Sequence, residues 1–198
     1  MAHIDPLSRR YLDQYEDRFA LIESAMGFVP SSLLTMAKVP ELFEAFSQLA
    51  MTVTVLGRVD DELVQLVALV ASRAAGCRYC QAHTAAHAAH AGAEPEKVAA
   101  VWHFETDPRF SAAERAALRL ARDGAQVPNG VDASHFDELR RHFDEEQIIQ
   151  LVAVLGLFGY LNRWNDTMAT TLEDVPQRFA AEHLSGWEPG KHAPAGDA

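Results

Sequence analysis

Apolar residues recur every three or four positions along most of this sequence, the spacing that places them on one face of an α-helix. No segment alternates apolar and polar residues for long enough to predict a β-strand, because a half-buried strand repeats with a period of two. We therefore predict an all-α fold, a bundle of amphipathic helices. The 11 glycines and 9 prolines are scattered, so short breaks should separate the helices.

Capping residues, glycine and proline set the expected helix boundaries. Ser111 and Glu114 form a capping-box pattern, and Pro40 is typical of a first helical turn. Asp60 precedes an apolar helix, and Gly76 should end it. The predicted helices span about residues 7–24, 31–39, 40–49, 63–74, 77–92, 94–103 and 112–123, a segment from 132, and 147–170.

The sequence also contains a weak internal repeat. Residues 60–80 align without a gap to residues 145–165, and Gln-Leu-Val-Ala occurs in the same register in both. The second segment has asparagines, Asn162 and Asn165, at the positions of two cysteines in the first. We predict two related helical units, one with thiols and one without; a chance likeness between apolar helices is the alternative.

These units are expected to pack as one domain spanning residues 1–198. The thiol-bearing unit covers about residues 40–105 and the degenerate second unit about 110–172. The tail, about residues 186–198, contains two prolines and is expected to be flexible. With 48% apolar residues, the chain can form one substantial core.

The charge balance limits the partners that we expect. Lys and Arg number 17 against 28 Asp and Glu, which gives a net charge of −11 and argues against nucleic acid and anionic membranes as partners. No apolar run reaches the roughly 18 residues of a membrane helix. The N-terminal residues lack the basic and apolar parts of a secretory signal, so we expect a cytoplasmic protein.

The only two cysteines, Cys77 and Cys80, lie two residues apart and are the main candidates for chemistry. A helix N-terminus and the nearby Arg78 favour a thiolate, the reactive form of cysteine. His83, three residues after Cys80, is placed to accept its proton. A redox pair is therefore the favoured interpretation. The alternatives are inert thiols or a zinc site made of Cys77, Cys80, His83 and His87.

The segment Cys77-Arg78-Tyr79-Cys80-Gln81-Ala82-His83 lies between an apolar helix with an acidic start and a helix ending at Gly92. Together with Asn162-Arg163, it resembles the alkylhydroperoxidase D/carboxymuconolactone decarboxylase-like family. The resemblance covers roughly residues 40–171. It implies an all-helical homo-oligomer (dimer, trimer or hexamer) that acts as a thiol peroxidase on organic hydroperoxides.

The resemblance also implies roles for the candidate residues. Cys80 would attack the peroxide and Cys77 would resolve the product as a disulfide, which a thioredoxin-like or lipoyl-type dithiol reductant would reopen. Helix-end electrostatics alone favour Cys77 as the attacking thiol. His83 would take the thiol proton, assisted by Glu62 through water. No metal, nucleotide or flavin cofactor is expected.

Two positions depart from the family pattern. Gln65 stands twelve residues before Cys77, where the family's proton relay has a glutamate, and an amide cannot take up a proton at neutral pH. Thr84 stands where the family's histidine is expected, and His83 is the nearest equivalent. The alternative functions are a decarboxylase or lactone-processing enzyme, which needs no thiol, and a non-catalytic redox sensor.

Overall fold

The computed structural model describes residues 2–8 and 15–194. Within those ranges, the helices pack around one hydrophobic core. The predicted all-α fold is confirmed. The helices are α1 (Glu16–Met26), α2 (Ser31–Met36), α3 (Pro40–Thr54), α4 (Asp61–Ala74), α5 (Arg78–His90), α6 (Pro95–Ala99), α7 (Ala112–Gly124), α8 (Ala133–Leu139), α9 (Glu145–Met168) and α10 (Asp174–His183). Single 3₁₀ turns occupy Val101–His103 and Gly190–His192.

The predicted helix starts have the expected capping contacts. Asp60 accepts a hydrogen bond from the N–H of Glu62 at the start of α4. Ser111 forms the capping box of α7, and Asp144 forms another at the start of α9. The helix expected from residue 7 begins at Glu16 in the described part of the chain, and residues 9–14 lie outside the description.

Helix α4 forms the centre of the bundle and packs against α5, α7 and α9. Its residues 66–71 are fully buried, so this stretch has no solvated face. A helix that is apolar all round belongs in the middle of a core. Consequently, the residues on the neighbouring helices that face α4 are also held in fixed positions.

The two aligned segments differ in shape. In the first, Gly76 adopts φ +81°, and the chain turns there from α4 into α5. In the second, the corresponding residue is Leu161, and α9 continues through it without a break. The segment therefore forms a helical hairpin in one case and a single helix in the other, and both parts of the hairpin contact α9.

The C-terminal part differs from the sequence analysis in two ways. Helix α10 was not anticipated; it packs against α5, which a local pattern cannot reveal. The flexible tail was placed too early, because Trp187 and His192 are buried. Trp187 Nε1 donates to the carbonyl of Arg78 at 3.2 Å and ties this segment to the start of α5. Residues 195–198 lie outside the described part.

No helix within the described ranges is both long enough and apolar enough to cross a membrane.

Candidate functional site

The two cysteines occupy the start of α5. Cys77 is the N-cap residue, and its Sγ accepts a hydrogen bond from the N–H of Cys80 at 3.4 Å. Both thiols are free and buried, with exposed fractions of 0% for Cys77 and 2% for Cys80. The turn at Gly76 thus creates a helix N-terminus at the thiols, where unpaired N–H groups favour negative charge.

The two thiols have opposite pKa shifts. A hydrogen bond from the Cys80 side chain lowers the pKa of Cys77, whereas burial and the contact with Cys77 raise the pKa of Cys80 well above its usual value. The two thiols therefore titrate as a coupled pair in which the thiolate of Cys77 is favoured. Asn165 Nδ2 also donates to Cys80 Sγ at 3.4 Å, which favours the thiolate there.

A cavity of about 360 Å³ opens in front of Cys80. Cys80 lines this cavity and Cys77 does not, so Cys80 is the sulfur that a bound molecule would contact. Most of the wall is apolar and comes from α1, α3 and α9. Apolar residues of this wall include Ile22, Met26, Phe46, Leu157, Phe158 and Leu161.

His83 lines the same cavity and is held by Glu173. Its Nε2 lies 2.7 Å from Glu173 Oε2, and its ring stacks on Tyr79 with the ring centroids 4.3 Å apart. Tyr79 donates its hydroxyl hydrogen to Glu173 Oε1 at 3.0 Å, and the N–H of Ser31 donates to the same oxygen. The carboxylate therefore fixes the orientation of the imidazole, leaving Nδ1 for proton exchange.

Glu173 is an anion in this arrangement. Burial alone would raise its pKa, but the charge of His83 and hydrogen bonds from His83 and Ser31 outweigh burial and lower the pKa. Sequence reasoning missed Glu173, since it lies 90 residues from His83 and ahead of an unpredicted helix. The only local sign of its role is that it is an acidic residue directly before a helix. Asp60 and Asp144 also precede helices, so this sign does not distinguish Glu173.

Cys80 and His83 line one cavity and Cys77 contacts Cys80, whereas Glu62 lies elsewhere. The Glu62 carboxylate accepts a hydrogen bond from Lys97, which also binds Glu114. Glu62 is not among the residues that line the cavity, so the expected water-mediated assistance to His83 is not supported. The carboxylate next to His83 belongs to Glu173.

Two further polar side chains line the cavity. Gln65 occupies the position of the family's glutamate, and its Oε1 makes no hydrogen bond within the described residues. His87 also lines the cavity, and its Nε2 is shielded from solvent. Burial, with the nearby His83 and His90, lowers the pKa of His87 to about 3, so its ring is neutral at physiological pH.

On the side of Cys77 away from Cys80's cavity, the described residues contain one set of close potential metal ligands. The ligand atoms of Cys77, Asp166 and His192 all lie within 4.8 Å of one another. The zinc set that the sequence left open, with all its ligands on α5, does not converge in this way.

Comparisons with known proteins identify the family of this chain. The carboxymuconolactone decarboxylase family profile matches residues 40–123. The crystal structure of the debrominase Bmp8, as a cysteine-to-alanine variant in complex with 2,3,4-tribromopyrrole, is 35% identical. The match covers 92% of this chain and 97% of Bmp8, with a TM-score of 0.86. This chain belongs to the alkylhydroperoxidase D/carboxymuconolactone decarboxylase-like family.

Two other proteins share less with this chain. The Escherichia coli (strain K12) protein YnjA is 33% identical over 81 residues, which span 41% of this chain and 42% of YnjA. A peroxidase-related protein from Ralstonia eutropha JMP134 with an alkylhydroperoxidase AhpD core is 23% identical, and the match covers 92% of each chain with a TM-score of 0.74. The second likeness shows the fold alone. The debrominase and the matched family support an enzymatic role.

Proposed function

We propose that this protein is a dithiol-dependent reductase that removes halogen from a small, largely apolar aromatic compound. The observation that carries the proposal is the position of Cys80, which lines an apolar cavity while its sulfur contacts a second thiol behind it. A substrate in the cavity meets one sulfur, and the other is in reach to complete a disulfide.

The overall reaction balances with the groups present. The two thiols lose two electrons and two protons as the disulfide forms. One carbon–halogen bond is replaced by a carbon–hydrogen bond, which takes both electrons and one proton; halide and the second proton leave. A dithiol donor of the thioredoxin or lipoyl type would then reopen the disulfide by exchange.

His83 is the proposed proton carrier. It lines the same cavity as Cys80, and Glu173 holds its Nε2. A proton lost from the thiol pair can therefore pass through the imidazole to the carbon that releases halide. Such a relay is worth roughly 10² to 10⁴ in rate.

The cavity supports a substrate of limited size. Its volume of about 360 Å³ equals that of about 12 liquid waters, enough for one substituted ring. The likeness to the debrominase extends over nearly the whole chain at 35% identity. The likeness to the peroxidase-related structure carries no functional argument at 23% identity.

Reduction of an organic hydroperoxide is the second candidate, and the same contact of Cys80 with Cys77 favours it. The thiols would again lose two electrons and two protons, while the oxygen–oxygen bond breaks to give an alcohol and water. With Gln65 in place of the carboxylate of the family's relay, this reaction too would depend on His83 and Glu173 for proton transfer.

Homo-oligomer formation and cytoplasmic location stay predictions. Exposed apolar residues on α9, including Ile149, Val152 and Tyr160, support self-association by offering a surface for a second copy.

The test presents reduced protein, without oxygen, with a brominated pyrrole or with cumene hydroperoxide. We expect one bromide released for every two thiols lost, with turnover once dithiothreitol is added. Cys80→Ala should lower the rate at least about 1,000-fold, and Cys77→Ala should prevent disulfide formation.

The outcomes separate the candidates. Loss of free thiols with cumene hydroperoxide but not with the brominated pyrrole would select the peroxidase. A single loss of thiols that is not repeated after dithiothreitol is added would select a redox sensor. An activity on a lactone or carboxylate that survives Cys80→Ala would select the decarboxylase-type alternative and contradict the proposal.

A further inference from the structure

Three side chains from separate parts of the chain meet behind the thiol pair. Cys77 caps α5, Asp166 lies near the end of α9, and His192 comes from the C-terminal 3₁₀ turn. Their ligand atoms lie within 4.8 Å of one another. Cys77 and His192 are fully buried, and neither lines the cavity in front of Cys80.

The hydrogen bonds of His192 define which of its nitrogens faces the cluster. Nδ1 lies 2.8 Å from the carbonyl oxygen of Thr170, and because a carbonyl only accepts, Nδ1 must carry the hydrogen. Nε2 then lies 3.4 Å from Asp166 Oδ1. In the neutral imidazole, Nε2 has a lone pair, so the cluster offers a nitrogen, a carboxylate oxygen and a sulfur as donor atoms within 4.8 Å of one another.

We propose that Cys77, Asp166 and His192 bind one soft divalent cation of the Zn²⁺ type. Thiolate, imidazole and carboxylate are the ligands that zinc takes in proteins, and three of them leave one position for water. At zinc bond lengths, tetrahedral ligands lie about 3.5 Å apart, so the cluster needs to contract by only about 1 Å. The bond from Nδ1 to a carbonyl is the usual outer support of a zinc-bound histidine.

A second recess beside the cluster offers an ion a path to it. Asp166 and Asn162 both line a cavity of about 250 Å³, separate from the one in front of Cys80. Asn162 is 4% exposed, and neither atom of its amide makes a hydrogen bond within the described residues. Asn162 lies one turn before Asp166 on α9, so its amide can bind the water that would complete the coordination of the ion. Lys191 competes for the site through its 2.8 Å ion pair with Asp166 Oδ2.

Occupation of this site would switch off the thiol pair. Binding replaces the Cys77 proton with the cation and releases that proton to solvent. A metal-bound Cys77 cannot close a disulfide with Cys80. The cation is therefore an inhibitor of dithiol chemistry, reversible by a chelator, and not a cofactor of the reaction.

The test adds Co²⁺, a spectroscopic substitute for Zn²⁺, to the full-length reduced protein without oxygen. We expect one ion per chain, with thiolate-to-cobalt charge-transfer absorption that Zn²⁺ abolishes. Asp166→Asn and His192→Gln should each weaken binding at least about tenfold. The matched control His87→Gln should bind normally, and Lys191→Gln should bind more tightly. Circular dichroism establishes that each variant is folded; if His192→Gln is not, Asp166→Asn decides alone.

Absence of the charge-transfer band would overturn the proposal. So would unchanged binding by Asp166→Asn, or an equal loss in His87→Gln, which would place the ion among the residues of α5. This test is independent of the proposed reaction. If the protein binds cobalt but reduces no substrate, the metal site stands and the proposed function fails. If it reduces the substrate but binds no cobalt, the proposed function stands and the metal site fails.

Discussion

The aligned segments 60–80 and 145–165 are both helical in their first half. The paths of the two backbones then diverge at one aligned position, Gly76 in the first segment and Leu161 in the second. Gly76 lets the chain turn and start α5, whereas Leu161 keeps α9 helical. Cys77 and Cys80 consequently lie at a helix N-terminus. Asn162 and Asn165, at the matching positions, lie inside a helix whose backbone N–H groups are already used. The difference teaches that thiol chemistry depends on where a helix starts as much as on the residues.

The second segment makes a direct contact with the cysteines of the first. Asn165, which aligns with Cys80, donates a hydrogen bond to the Cys80 sulfur itself. The paired glutamines also diverge: Gln150 is fully buried and bonded, whereas Gln65 lines the cavity with an unbonded oxygen. The first segment thus carries the cysteines, and the second supplies amides that bond to the chain around them.

The largest expected contrast concerns these glutamines. Gln150 Oε1 accepts the N–H groups of Arg58 and Val59, and its amide donates to the carbonyl of Val53. Gln150→Leu should lower the free energy of unfolding by about 2–4 kcal/mol because these groups lose their partner. Gln65→Leu should change it by less than about 1 kcal/mol. Urea unfolding measures both, and equal losses would refute the division between the units.

The contact between Glu173 and His83 should matter next. Glu173→Gln is expected to lower turnover about 10- to 100-fold, because the imidazole loses the carboxylate that orients it and balances its charge. Glu145→Gln, at an exposed helix start on α9, is the matched control and should leave turnover unchanged.

Glu173 also makes stability depend on pH. Because its pKa is lowered in the folded protein, its contribution is complete above the ordinary carboxyl value of about 4.3 and is lost as the pH falls through the lower folded value. The difference in melting temperature between wild type and Glu173→Gln should therefore shrink below about pH 4. A difference that grows on acidification would contradict the ion pair.

Replacing a glycine by alanine should change the free energy of unfolding in opposite directions in the two segments. An added Cβ meets no atom within 4 Å at Gly76 or at Gly156, so only backbone conformation distinguishes them. Gly76→Ala should cost about 1–2 kcal/mol because φ is +81° there. Gly156→Ala, inside α9, should stabilise the protein by about 0.5–1 kcal/mol. Thermal unfolding tests this, and a shift in the same direction for both would refute it.

The smallest effect is expected at the asparagines. Asn165→Ala removes a donor to Cys80 and should raise the pKa of that thiol further, which slows its alkylation at neutral pH about two- to fivefold. Asn162→Ala should leave the rate unchanged. Both are best compared in a Cys77→Ala background, so that iodoacetamide and mass spectrometry report on one thiol. An equal effect of both substitutions would mean that the contact with Cys80 is not specific.

The sequence predicts the parts of this molecule that local pattern determines. Capping residues and apolar spacing located most of the helices. The roles predicted for Cys77, Cys80 and His83 from their spacing stay predictions. Glu62 failed as a candidate because Lys97, distant in sequence, binds its carboxylate. Glu173 and α10 were missed because their positions depend on packing against α5, which only the folded chain reveals.

The burial of Cys77 has a kinetic consequence. Its sulfur has no exposed surface, and Cys80 is reached from its cavity, so a substrate and a reducing dithiol would have to use the same opening. The product must then depart before the electron donor can approach the disulfide. Catalysis would follow ping-pong kinetics, in which a high concentration of either compound competes with the other for the mouth of the cavity.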